Sequence, residues 1–422
     1  MTPATKPKPA STSVIPFPPV QSRPQVGLGR LWIGAEELEN VRAVLASHVL
    51  NRFAAGDNSF AVKFEQELAS MVGVKYALAV SSGTGALEVS LGALGLGPGD
   101  EVLVPAWSWT ACFTSIVRLG ARPVLTEVDR SMCFDPAEIR RKATPRTKAI
   151  MVIHFQGVPA YMDGIMAEAD RMGLPVIEDC AQSPGALYHG RRVGSIGRIG
   201  TYSLQHWKTI STGEGGAVLT SDPLLFERAV RMHDLGIYRP VFESRHKPVG
   251  RSFSGSQFRM SELTAAVALA QLRKLDRIRE HCRALQSAFL ERLGRLDGIE
   301  PRPVNDPAGE SGVECYLHLA PRIDREAFRA ELDQRNVNCT AMTSTYCHYQ
   351  QPYCTEGLAH SPAASPFQSL PMPAKGYRSS DFPVTESLYR HMVSLPFGVA
   401  YETADAIYAA DIVRAVHSRL PH

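Results

Sequence analysis

Several features that quickly assign a protein class are missing from this chain of 422 residues. Its apolar runs stay shorter than the roughly 20 residues of a transmembrane helix, which excludes a membrane span. The formal net charge is only +3 and no block of like charges occurs, so nothing indicates nucleic-acid binding. The patterns GxGxxG and GxxxxGK[ST] are absent, so dinucleotide binding and P-loop nucleotide binding lose their main support.

An export signal is also missing. Residues Met1 to Pro24 are rich in proline, serine and threonine and contain no continuous apolar segment. This composition predicts a disordered tail over 1–28 and not a signal peptide. The eight cysteines show no repeated spacing. In a long chain without an export signal such cysteines are typically reduced thiols, which favours a cytoplasmic location.

One stretch of the chain raises the question of a zinc site. Cys347, His348, Cys354 and His360 fall close together, and thiolates and imidazoles are ligands that zinc prefers. The C-x-x-C pair that commonly anchors such sites is absent. We therefore predict no metal.

The middle of the chain alternates between two kinds of pattern, and its length suggests two domains. Short apolar runs are separated by amphipathic segments. The predicted strands cover 76–80, 101–104, 123–128, 149–153, 176–178, 199–204 and 217–220, and the predicted helices between them cover 85–96, 111–119, 136–142 and 162–172. This order indicates βαβ units in a mostly parallel sheet covered on both faces. Ligands bind such sheets beyond the carboxyl ends of the strands.

After the last strand the pattern changes. A polar stretch from Gly236 to Phe258 has no regular periodicity, and long loops of this kind are often functional. One amphipathic helix is predicted to run from Ser261 towards Leu296. We predict a large domain over 29–265, followed by the linking helix and a smaller C-terminal domain over 266–422.

A turn of small residues, Ser81 to Gly85, lies between a predicted strand and a predicted helix. Its glycines let backbone N–H groups approach an anion closely, and a helix N-terminus favours negative charge. The residues Gly83 and Thr84 could therefore bind a phosphate. A tight turn with a serine cap explains the same letters equally well.

Asp179 and Lys208 each follow a predicted strand. A carboxylate at a strand end is partly desolvated and needs a cationic partner such as a protonated pyridine nitrogen; a helix N-cap is the alternative. A lysine inside a cleft loses its proton more easily and can attack a carbonyl, whereas most lysines lie on the surface.

Aromatic and histidine side chains follow two further strands. Trp107 and Trp109 could stack on a planar cofactor or fill the core. His154 could line the site or be a buried structural residue. The combination is more informative than any member: an anion turn, an aromatic, an aspartate and a lysine occur in that order at one edge of the sheet. This arrangement is typical of a pyridoxal 5′-phosphate (PLP) site.

From about Leu31 to its end, the chain resembles the DegT/DnrJ/StrS family of PLP-dependent sugar and cyclitol aminotransferases. The resemblance is carried by SSGTGAL, GPGDEVLVPAWSWTA, TPRTKAIMVIHFQG, VIEDCAQSPGA, VGSIGRIGTYSLQHWKTISTGEGGAV, GSQFRMSEL and DFPVTES. It implies an α/β fold of the aspartate-aminotransferase type (PLP fold type I). That fold has a large, mostly parallel sheet domain and a smaller α+β C-terminal domain.

The resemblance also implies roles for individual residues. Lys208 would carry the Schiff base and shuttle protons, and Asp179 would pair with the pyridinium nitrogen. Gln182 would contact the phenolic oxygen of the cofactor, and Trp109 would stack on its ring. The phosphate would be held by Gly83, Thr84 and Ser203.

The family is dimeric, and an asparagine before the RMSEL segment normally reaches the phosphate in the partner's site. Here that position is Gln257, a departure that makes the expected contact longer. Arg52, His154 and Tyr238 are candidate substrate contacts. The segments around Arg52 and His233-Asp234 resemble the keto-cyclitol branch more than the nucleotide-sugar branch.

The implied reaction is ping-pong transamination. Glutamate or glutamine would convert PLP to pyridoxamine phosphate, and the amine would pass to a ketone of a sugar or cyclitol, as in antibiotic biosynthesis. The alternative is a dehydratase or an aromatising enzyme like the aminohydroxybenzoate synthases. Dehydratases of the family typically have histidine at the lysine position; His206 is near, but the spacing to Gly213–Gly216 aligns Lys208. A PLP-binding regulator would need a DNA-binding module, which is absent.

Overall fold

The computed structural model describes residues 15–368 and 376–420. Its strands form a seven-stranded sheet, a four-stranded sheet and a two-stranded hairpin. In chain order the strands are β1 (Tyr76–Val80), β2 (Glu101–Pro105), β3 (Arg122–Thr126), β4 (Thr147–Ile153), β5 (Val176–Asp179), β6 (Leu187–Tyr188), β7 (Arg191–Arg192), β8 (Ile199–Ser203), β9 (Gly216–Thr220), β10 (Ile299–Pro301), β11 (Glu314–Leu319), β12 (Thr340–Ala341) and β13 (Met392–Pro396).

Helices connect these strands and cover the sheets. They are α1 (Ala35–Ser47), α2 (Arg52–Ala55), α3 (Phe60–Val72), α4 (Gly83–Leu94), α5 (Thr110–Arg118), α6 (Ala137–Lys142), α7 (Met162–Met172), α8 (Pro223–His233), α9 (Glu262–Leu272), α10 (Leu275–Leu293), α11 (Arg325–Asp333), α12 (Pro352–Thr355), α13 (Pro383–His391) and α14 (Thr403–His417). Within the described ranges, no helix has the length and apolar character needed to cross a lipid bilayer.

The large sheet has the strand order β1-β9-β8-β5-β4-β2-β3. The pairs β2/β3, β2/β4, β4/β5 and β5/β8 are parallel, and β9 runs antiparallel to both β1 and β8. The predicted mostly parallel sheet is therefore confirmed. Because six strands point the same way, β1, β4, β5 and β8 end at the same edge, and the loops after them can share one site.

Both faces of the large sheet are buried. Along β1, Leu78 and Val80 belong to one apolar cluster, whereas Ala77 and Ala79 belong to another on the opposite face. This alternation follows from the two-residue period of a strand. A third cluster, around Phe289, is the core of the C-terminal part, where the four-stranded antiparallel sheet β10-β11-β13-β12 packs against helices.

The predicted single linking helix is wrong in one respect, because the structure has two helices in its place. The break falls at Arg273 and Lys274, between α9 and α10. Lys274 donates from Nζ to the backbone carbonyl of Trp32 and to Glu37. The break lets α9 pack on α1 and α3 of the large part while α10 packs on α14.

Part of the predicted tail is described by the structure, and residues 1–14 lie outside the described residues. Residues 15–28 contain no helix or strand. The ring of Phe17 lies between the guanidinium groups of Arg335 and Arg419, at 3.7 and 3.8 Å. Further along, the carbonyl of Gly27 accepts from the N–H of Val399. The domain boundaries drawn from the sequence stay a prediction.

Candidate active site

The loops after β1, β5 and β8 meet at the carboxyl edge of the large sheet. Asp179 is the last residue of β5 and pairs in register with Ile153 of β4 and Thr201 of β8. Gly83 begins α4 beside Ser203, so close that a Cβ on Gly83 would lie 2.7 Å from the Cβ of Ser203. The structure thus brings the predicted turn, aspartate and serine to one place.

The carboxylate of Asp179 is a buried anion with unusual surroundings. Its side chain is 4% exposed. The N–H of Ala181 donates to Oδ1 at 2.9 Å, and the thiol of Cys112 donates to Oδ2 at 3.0 Å. Within the described ranges, no lysine, arginine or histidine nitrogen lies within 4.0 Å of it. A buried carboxylate without a bound cation is costly, so this position fits a cationic ligand.

Lys208 lies in the turn that follows β8, where its N–H donates to the carbonyl of Gln205 at 2.9 Å. Burial lowers the pKa of its amino group, and the nearby negative charge of Asp179 opposes this effect only in part. A lysine with a lowered pKa has more of the neutral amine that attacks carbonyl groups. The alternative of an ordinary surface lysine is therefore excluded.

The small-residue turn forms the predicted serine cap, and its backbone geometry is compatible with a bound anion. Ser82 caps α4 by accepting the N–H of Gly85 at 2.9 Å. The N–H groups of Gly83 and Thr84 lie in the first turn of the helix, where no carbonyl of the same helix can accept from them. The backbone of Gly216 also approaches closely, since a Cβ there would lie 2.5 Å from the carbonyl oxygen of Ser82. A crowded turn with free N–H groups suits an oxyanion.

Two further side chains fit a planar, polar cofactor. The amide oxygen Oε1 of Gln182 is buried without a hydrogen-bond partner, which is uncommon unless a ligand supplies one. The indole of Trp109 is 48% exposed although it precedes a buried helix. An unpaired anion, a desolvated lysine, an unpartnered amide and an exposed indole together match the donors and surfaces that PLP needs.

Two predicted substrate contacts have internal partners instead. Arg52 is 1% exposed and donates from Nη1 and Nη2 to the two carboxylate oxygens of Glu65, at 2.7 and 2.8 Å. His154 is fully buried: one ring nitrogen lies 3.0 Å from Glu178 and the other accepts the N–H of Ala160. Neither the imidazole nor the guanidinium reaches solvent in the single chain, and a substrate contact by either residue stays a prediction.

The remaining candidates lie at the surface or near it. The hydroxyl of Tyr238 donates to the carbonyl of His246 at 2.6 Å and so ties the polar loop to itself. Gln257 is exposed in the single chain, and its backbone pairs with Asp234. Neither is brought next to Asp179 by a described contact.

The structure shows partners other than a metal for the histidine that raised the question of a zinc site. Both ring nitrogens of His348 are occupied, by the hydroxyls of Ser108 at 2.7 Å and Tyr353 at 2.9 Å. Among the described residues, the group of potential ligands that does come together is His154, Glu178 and Cys180. Glu178 there accepts the N–H groups of Gly194, Ile196 and Gly197, so its oxygens are already occupied.

Sequence reasoning missed Cys112 and Tyr346. Cys112 follows Trp109 by three residues, so the start of α5 carries both toward the same site, and helical spacing was the available signal. Tyr346 packs its ring against Trp107 and Trp109, with centroids 5.6 and 5.7 Å apart. It is more than 230 positions away in the sequence, and nothing in its neighbourhood indicated this contact.

The fold and this edge define a PLP-dependent enzyme of the aminotransferase class. The chain belongs to the DegT/DnrJ/EryC1/StrS aminotransferase family, whose family model matches residues 32–414. Membership confirms the predicted family, the fold type and the PLP cofactor.

Three similar proteins show the range of the family. The chain is 40% identical over 274 residues to the L-glutamine:2-deoxy-scyllo-inosose aminotransferase of Micromonospora echinospora, covering 64% of each chain. It is 34% identical over 353 residues to a dTDP-3-amino-3,4,6-trideoxy-alpha-D-glucose transaminase of Streptomyces venezuelae, covering 83% of this chain and 85% of that protein. The crystal structure of 3-amino-5-hydroxybenzoic acid synthase matches with a TM-score of 0.78 and 28% identity, over 96% of this chain and all of that one.

Proposed function

We propose that the protein transfers an amino group from glutamate or glutamine to a ring ketone of a cyclitol or sugar, as part of secondary-metabolite biosynthesis. The observation that carries this proposal is a pair of groups at the sheet edge. The carboxylate of Asp179 is buried, and its charge acts on the buried amine of Lys208. Family membership supports the reaction class. The relatives acting on 2-deoxy-scyllo-inosose and on a dTDP-sugar support a ring ketone as acceptor.

When bound, PLP supplies an electron sink for negative charge at the substrate carbon. Asp179 would hold the proton of the ring nitrogen through its carboxylate. The N–H groups of Gly83 and Thr84 and the hydroxyl of Ser203 would bind the phosphate. Gln182 would contact the phenolic oxygen with its amide, and Trp109 would cover the ring.

Lys208 moves the proton in this proposal. Because burial lowers the pKa of its amino group, Nζ is neutral more often than the amine of an exposed lysine. It can therefore accept the proton of the substrate carbon and later return it. A dehydratase would be expected to use a histidine at the lysine position, and His206 is the histidine nearby. His206 is exposed, whereas Lys208 is half-buried. This difference supports amination over dehydration.

The second candidate is an aromatising synthase, favoured by the likeness to 3-amino-5-hydroxybenzoic acid synthase over nearly the whole chain. An aminotransferase and such a synthase differ in what happens to the ring, since only the synthase removes water from it. Product analysis by mass therefore separates the two. A cytoplasmic location stays a prediction.

The test uses purified full-length protein and its visible absorbance. Glutamate or glutamine should remove the band of the PLP form, and 2-deoxy-scyllo-inosose or a keto-sugar should restore it. Lys208→Ala should reduce turnover by about three orders of magnitude or more, since it removes both nucleophile and base. Lys75→Ala, an exposed lysine before β1, is the matched control. Turnover by Lys208→Ala near the wild-type rate would overturn the assignment.

A homodimer with shared sites is part of the proposal, with Gln257 reaching the phosphate of the partner's site. Gln257→Glu places a negative charge there and should abolish activity. Mixing Gln257→Glu chains with Lys208→Ala chains should then restore about a quarter of the wild-type activity, because half of the dimers contain one intact site. A mixture that stays inactive would show that each chain completes its own site.

A further inference from the structure

The thiol of Cys112 and the carboxylate of Asp179 form a buried pair. Cys112 is 1% exposed and Asp179 is 4% exposed, and Sγ lies 3.0 Å from Oδ2. The two residues are 67 positions apart in the sequence and come from different elements, α5 and β5. The contact is therefore a product of packing between a helix and the sheet.

Toward the carboxylate of Asp179 the thiol can act only as a donor. Burial raises the pKa of Cys112 well above its usual value, and the negative charge of Asp179 raises it further. The thiol therefore stays protonated and donates to the carboxylate, where a thiolate would repel it. A thiol is a weak donor, so it orients the carboxylate while leaving most of the charge available to a cation.

Two donors restrict rotation of this carboxylate. The N–H of Ala181, in the loop after β5, donates to Oδ1, and the thiol of Cys112, in α5, donates to Oδ2. Cys112 lies one helical turn after Trp109 at the start of α5. Movement of this helix would change the position of the indole and of the carboxylate together.

We propose that Cys112 is a positioning residue that orients the Asp179 carboxylate toward the ring nitrogen of the cofactor. This inference rests on the proposed role of Asp179. On this proposal, the thiol of Cys112 contributes to cofactor binding only through the ring nitrogen, because Asp179 contacts no other part of the cofactor.

The experiment compares PLP with 1-deazapyridoxal phosphate, in which a C–H replaces the ring nitrogen. Equilibrium dialysis of the loaded full-length protein gives the dissociation constant of each compound. For Cys112→Ala we expect PLP to bind about fivefold more weakly, the effect of losing one hydrogen bond, and the deaza compound to bind within about twofold of wild type. Cys112→Ser keeps a donor and should bind PLP like wild type. Cys112→Val fills the volume without a donor and should repeat the result of alanine.

Two controls separate positioning from packing. Cys133→Ala removes a buried thiol that donates to a backbone carbonyl, that of Val158, and should leave the ratio of the two constants unchanged. In an Asp179→Asn background, Cys112→Ala should no longer affect PLP binding, as expected for residues that act as one unit.

Equal weakening of both compounds by Cys112→Ala, or unchanged binding of PLP, would overturn the role of Cys112 and leave the proposed function standing. Failure of the wild-type protein to bind PLP at all would overturn both.

Discussion

The hydroxyl of Ser108 and Nε2 of His348 lie 2.7 Å apart, although the residues are 240 positions apart in the sequence. Nδ1 of the same ring lies 2.9 Å from the hydroxyl of Tyr353. Ser108 immediately precedes Trp109, so this buried contact ties the loop that carries the indole to the C-terminal part of the chain. The C-terminal part therefore helps to shape the candidate site at the edge of the large sheet.

The burial of His348 should make stability depend on pH. Burial lowers the pKa of His348 to about 3 from the ordinary value of 6.5. Between these values the unfolded chain takes up a proton and the folded protein does not, so the folded state is fully favoured above about 6.5 and loses stability as the pH falls toward 3. His348→Leu should flatten this dependence and cost about 1–3 kcal/mol at pH 7.5, because Ser108 loses its partner. Urea unfolding at several pH values, followed by tryptophan fluorescence, measures both effects. Parallel curves for the two proteins would contradict the prediction.

Gly83 should tolerate no side chain. An added methyl group would lie 2.7 Å from the Cβ of Ser203 and 2.8 Å from its hydroxyl, so the turn or the serine must move. We expect Gly83→Ala to weaken PLP binding about tenfold or more, the effect of about 1.4 kcal/mol. Gly97→Ala is the control, since a methyl group added there would have no other atom within 4 Å. Equal affinity in both variants would mean that the turn does not hold the phosphate.

Glu65 should contribute strongly to the stability of the fold. It is fully buried and accepts from Arg52, from Arg245 at 2.7 Å and from the N–H of Ala79 at 2.7 Å. Glu65→Gln would leave two guanidinium groups without their counter-charge, a loss of about 3–5 kcal/mol. Glu67, on the same helix, forms a half-exposed pair with Arg273, and Glu67→Gln should cost about 1 kcal/mol or less. Denaturant midpoints of the two variants test this difference, and similar midpoints would count against it.

Local sequence patterns were sufficient for the alternating strands and helices, since each pattern reflects the burial of one face of one element. They were also sufficient for the serine cap and for the order of the turn, Asp179 and Lys208 along the chain. They were misleading for the linking helix, because the break at Arg273 and Lys274 depends on partners in α1 and in the segment before it. For Arg52 and His154 the residue type suggested a contact to substrate, and only the structure shows that both side chains have buried internal partners.

The sequence alone determined which residues we propose to carry the chemistry, because a strand end, a small-residue turn and a lysine at a set spacing are local features. Only the tertiary structure decided what surrounds them. The donors to Asp179, the aromatic wall of Tyr346 and the link from Ser108 to His348 join residues far apart in the chain. Such contacts depend on how helices and strands pack against each other, and no local pattern specifies that packing.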